Sequence, residues 1–92
     1  MGCRVRVGRY EADRIERHFS GRLFLVEVRS RETCKMALAS VGPDKQRRLA
    51  VMARQLAKVT GEPVTIVVEG TAGHKIARQV LGVVQPEWTD HK

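Results

Sequence analysis

Several kinds of residue are scarce in this 92-residue chain, and each scarcity excludes something. Only two cysteines occur, Cys3 and Cys34, far apart and without metal-like spacing. That excludes a disulfide framework and points to a reducing compartment. The three histidines, His18, His74 and His91, share no ligand spacing either, so no metal and no other cofactor is expected. No apolar run approaches the roughly 18 residues of a membrane span, and no signal peptide is read. The start Met-Gly-Cys lacks the Ser or Thr at position 6 that myristoylation wants, since Arg6 stands there. The expectation is a soluble cytoplasmic protein with no membrane partner. Acidic residues are few as well: ten against seventeen lysines and arginines leave a net charge of +7. An excess of that size is the electrostatic footprint of a protein that meets phosphate backbones or other anionic surfaces.

Catalytic signatures are equally thin. Glu11, Asp13 and Glu16 are interleaved with Arg14 and Arg17, a pattern of ion pairs on a solvated helix rather than an acid–base dyad. Cys34 reads as a small buried hydrophobe. A Walker-type loop needs Gly-Lys-Ser/Thr and a dinucleotide loop a third glycine, and neither is present. The chain is therefore expected not to be an enzyme.

What remains is enough for one small core. The expected organisation is a single α+β domain over residues 1–85, followed by a short tail, 86–92. The clearest element is "GPDKQRRLAVMARQLAKVTG", where Pro43 and Gly61 bracket an amphipathic helix over 43–60. Leu49, Met52, Ala53, Leu56 and Val59 form its apolar stripe, and Arg47, Arg54 and Lys58 a basic ridge roughly opposite. Strands are predicted over 3–9, 22–29, 33–41 and 63–69, in a mostly antiparallel sheet of four or five strands with the helix on one face. "PVTIVV" is apolar almost throughout, so it should be central and covered on both sides. Residues 75–84 fit a fifth strand paired with 63–69 or a second helix, with the strand preferred. "YEADRIERHFSG" carries Ala12, Ile15 and Phe19 at helical spacing, and a helix is slightly preferred there to a hairpin turning at Ser20-Gly21. "CKMALASV" alternates like a strand while its Met-Ala-Leu-Ala favours helix; the need of 22–29 for a partner selects the strand.

"LFLVEVRSRETCKMALASVGPDKQRRLAVMARQLA" reads as strand, loop, strand, glycine, then a helix opening with basic residues. This order resembles the second half of double-stranded-RNA-binding domains, where a cationic helix N-terminus bridges phosphates across a groove. The resemblance implies phosphate contacts from Lys45, Arg47 and Arg48. It is also similar to the three-stranded arm domains of integrases, which implies contacts from the sheet through Arg22, Arg29, Arg31 and Lys35. In this chain a strong strand follows the helix, where those domains end. Gly70-Thr71-Ala72-Gly73 resembles the Gly-x-x-Gly loop of KH domains, with His74 and Lys75 as rim charges. The neutral Thr71-Ala72 and the adjacent Glu69 favour a plain turn instead. Taken together, a nucleic-acid-binding module is expected, contacting the phosphate backbone through Lys45, Arg47, Arg48, Arg54, Lys58, Arg29, Arg31 and Lys75. The alternative is a homodimer or other protein-interaction module with a basic surface, its interface at Trp88 or an exposed strand edge.

Overall fold

A computed structural model describes residues 4–86. Trp88, proposed above as an interface anchor, lies outside them. Six strands and two helices follow in the order β1 (Val5–Val7), β2 (Tyr10–Ala12), β3 (Arg14–Arg17), β4 (Leu23–Ser30), α1 (Cys34–Ala39), α2 (Pro43–Thr60), β5 (Val64–Ala72) and β6 (Lys75–Val84). β1 and β2 form a separate two-stranded ribbon, and the main sheet runs β3-β4-β5-β6. The fold is α+β, with α2 packed on the sheet. Of its strand pairings only β4–β5 is parallel; β1–β2, β3–β4 and β5–β6 are antiparallel. A parallel pair needs a long crossover, and α1 with α2 supplies it.

Two element assignments are corrected. Residues 34–39 are helix, not strand. Thr33 caps them by accepting a hydrogen bond from the Met36 N–H through its side chain at 3.0 Å, and Ser40 closes them. β4 has no need of a partner from this segment, because β3 and β5 flank it. Residues 10–12 and 14–17 are strands, not a helix. Gly8 adopts φ +63° as the first residue of a two-residue turn, which folds Tyr10 and Ala12 back onto Val7 and Val5. The same device recurs at Gly73-His74, where Gly73 (φ +60°) joins β5 to β6. The glycine pair of "EGTAGHKIAR" is thereby split. Gly73 makes the turn, while Gly70 lies inside β5, where a Cβ would come within 3.0 Å of the Ala37 Cβ and of the Cys34 carbonyl. Gly70 lets α1 sit directly on the sheet.

α2 matches its expected bounds, from Pro43 to a closing Gly61 at φ +71°. Its buried residues are Leu49, Met52, Ala53 and Ala57. Leu56 is partly buried, and Val59, expected in the stripe, is exposed. These side chains meet Leu23, Leu25, Val64, Ile66 and Val68 from the sheet, and Val7 and Ala12 from the ribbon, in one core. β5 is buried from Val64 to Gly70 on both faces, as its composition predicts. On the face turned away from the helices no helix covers Val26 and Val67, yet both are fully buried.

Candidate functional site

The cations gather in two clusters that differ in how fully carboxylates meet them. The first lies on the open face of the sheet. Arg14 donates from Nε to Glu16 Oε2 and from Nη2 to Glu69 Oε1, both at 2.8 Å. Arg78 donates from Nη1 and Nη2 to the two oxygens of Glu16, at 3.0 and 2.8 Å, and from Nε to Glu69 at 3.0 Å. Two cations and two carboxylates thus close a neutral lattice. Arg78 reaches from β6 to β3 across the two strands between them. Its side chain therefore lies over the Val26–Val67 pair, which the register sets side by side. The apolar stems of long cations shield such surface while their heads stay wet. Hydrogen bonds from the Arg78 guanidinium, with help from His18 and Arg14, outweigh burial and hold the Glu16 carboxyl down at about 2.

Some predicted contacts are also partnered within the fold. Lys45 and Arg29 both face the buried Glu27, at 3.4 and 3.6 Å. Burial, reinforced by Asp13, pushes the Glu27 carboxyl above its ordinary range despite these cations. Arg47 pairs with Asp44, one turn back on α2. Arg31 donates to the Ser30 carbonyl at 2.7 Å.

The second cluster stands beside the β1–β2 ribbon. A recess of about 290 Å³ opens between the ribbon and the first half of α2, with Met52 at its base. Arg4, Arg6 and Arg9 line it from the ribbon, and Lys45 and Arg48 from the helix. Glu11 is its one carboxylate, and Arg4 and Arg6 already engage it at 3.7 and 3.6 Å. Among the described residues Arg9 and Arg48 have no carboxylate within ion-pair distance, so the recess keeps positive charge that nothing in the fold answers. A second recess of about 430 Å³ adjoins it, sharing Tyr10 and Arg48, and is completed by Asp44, Arg47 and Val51.

The structure therefore brings Lys45, Arg47 and Arg48 together, three of the residues predicted from the sequence. The others lie apart. Lys58 borders a more apolar groove of about 540 Å³ with Val5, Val7, Leu56 and Val59, on the other flank of the ribbon. Arg54 is exposed on α2 and lines neither cationic recess. Arg31 and Lys75 sit at the β5–β6 turn, near Thr71 and Ala72. Sequence reasoning missed the ribbon's contribution of Arg4, Arg6 and Arg9. The available signal was "RVRVGRY", in which Gly-Arg between alternating residues marks a tight hairpin with an arginine at its tip.

Among the described residues no group of three His, Cys, Asp or Glu side chains is placed to hold a metal ion, and no helix is long and apolar enough to cross a membrane. No family model, curated protein or solved structure matches the chain.

Proposed function

We propose that the protein is a non-enzymatic nucleic-acid-binding module that grips the phosphate backbone at the recess between the β1–β2 ribbon and α2. The observation that carries this reading is the pair Arg9 and Arg48, cations without a carboxylate partner on two different elements that line one concavity. Exposed cations repel one another only weakly in water, so they can stay gathered until an anion joins them, and a phosphate accepts hydrogen bonds from several guanidinium groups at once. Arg4, Arg6 and Lys45 add to the field, although each is partly neutralised within the fold. The test is a salt titration against duplex DNA, duplex RNA and single strands. Binding is expected at low ionic strength, with log affinity falling linearly in log salt. Absence of binding to every probe at low salt overturns the reading.

A second reading, a homodimer, is favoured by β6. This ten-residue strand is an edge of the main sheet, and Ile76, Val80 and Val83 on its open face are 65%, 58% and 39% exposed. An exposed apolar edge is a template for pairing with another strand. Antiparallel self-pairing about Arg78 sets Ile76 of one copy against Val80 of the next, with each Arg78 already held by two carboxylates. Light scattering after size exclusion tests it: Val80→Lys is expected to turn a dimer into a monomer. A native protein that elutes as a monomer at high concentration removes this reading. Salt separates the two readings, since screening weakens phosphate binding and eases the approach of two chains of charge +7.

A further inference from the structure

The two adjoining recesses differ in a way that bears on which nucleic acid binds, and the inference drawn from it rests on the nucleic-acid reading above. The recess lined by Arg4, Arg6, Arg9, Lys45 and Arg48 sets these five cations against the single carboxylate of Glu11. Its neighbour is lined by the half-buried Tyr10, which also packs against the core, by the apolar Val51, and by Arg47 and Asp44. Asp44 repels a phosphate from that side, while the Asp44–Arg47 pair keeps spare carboxylate lone pairs and guanidinium N–H groups of the kind a base edge can meet. The recess, about 430 Å³ and open to solvent, has room for a base to lie against its wall. Tyr10 and Arg48 border both recesses, so a ligand that spans them meets the aromatic ring and the unpaired cation together.

We propose that the pair of recesses takes one nucleotide of a single strand, with its phosphate among the ribbon arginines and its unpaired base against Tyr10 and Val51. A base in a duplex has its faces stacked and its edge paired, and cannot enter such a site; a base in a single strand can. The protein therefore prefers single-stranded nucleic acid to a duplex.

Fluorescence anisotropy with a labelled single strand of about 12 nucleotides, and with the same strand annealed to its complement, tests this. Tyr10→Leu keeps an apolar side chain on the ribbon and removes the stacking face. It should weaken single-strand binding about tenfold and leave duplex binding within about twofold, while Tyr10→Phe retains native affinity. Val51→Lys changes a helix position that is already 38% exposed and should move the two affinities in opposite directions, weaker for the single strand and tighter for the duplex. Equal losses for both probes in a folded Tyr10→Leu protein overturn the inference and leave backbone binding standing. If Tyr10→Leu does not fold, Val51→Lys decides alone: affinities that move in the same direction overturn it. No binding of the native protein to either probe defeats the nucleic-acid reading itself, and this inference with it.

Discussion

The lattice on the open sheet face and the cluster beside the ribbon are built from the same residue type and serve opposite ends. In the lattice Arg14 and Arg78 each meet both Glu16 and Glu69, and their stems shield a valine pair that no helix covers. Beside the ribbon, Arg9 and Arg48 meet no carboxylate among the described residues, and the space between the elements stays open. An arginine matched by carboxylates works for the fold, whereas one left unmatched next to a concavity is available to a ligand. A net charge of +7 says how many cations are in excess, and only the pairing says which.

The largest effect should come from inverting the unmatched pair. Arg9→Glu with Arg48→Glu is expected to lower affinity for nucleic acid by about 100-fold or more at low salt, with thermal stability almost unchanged. The same inversion in the lattice, Arg14→Glu with Arg78→Glu, sets four carboxylates together over a buried valine pair, and soluble folded protein is not expected. Circular dichroism on both double variants checks the contrast, which breaks if the first pair proves to be the one the fold requires.

A milder change comes next. Arg78→Ala should cost about 1–2 kcal/mol in denaturant unfolding, because Val26 and Val67 lose part of their cover and two carboxylates lose a partner. Binding by the folded protein should stay within about twofold, and a larger loss would mean that the lattice also touches the ligand.

The smallest effect lies in the pH dependence, where two carboxylates work against each other. Glu16 is held near 2 in the fold against an ordinary value of 4.5. Its stabilisation is therefore complete above about pH 4.5 and fades as pH falls toward 2. Glu27 is shifted upward, so its contribution is fullest below the unfolded value and is lost as pH rises through the folded one. Stability measured across this range should decline less steeply in acid for Arg78→Gln, and should lose part of its fall above pH 4.5 for Glu27→Gln. An unchanged acid limb in Arg78→Gln would separate Glu16 from the lattice.

The parts of the fold that were legible in the sequence are those whose signals are local and long. Pro43, Gly61 and eighteen residues between Gly42 and Gly61 mark α2, and the nearly all-apolar "VTIVV" marks a covered strand. The six residues of α1 fit both a period of two and a period of 3.6. What separates the two is the side chain of Thr33, which caps only if a helix follows. In residues 10–17 the same acids and arginines describe ion pairs along a helix or across strands, and the Gly8-Arg9 turn is the sole local hint that decides. The site was less legible for a deeper reason. Whether an arginine is free depends on carboxylates as far as 55 or 62 residues away, as Glu69 is from Arg14 and Arg78 from Glu16. No window along the chain displays that.

The span of those pairs also bears on time. Arg78 and Glu16 are 62 residues apart, with the α1–α2 crossover and the β5–β6 turn between them, so the lattice is expected to form late in folding. Interactions absent from the folding transition state act on the rate of escape from the native state, with little influence on the rate of reaching it. The lattice is a latch: weakening it should speed unfolding several-fold while the refolding limb of a chevron plot stays where it was.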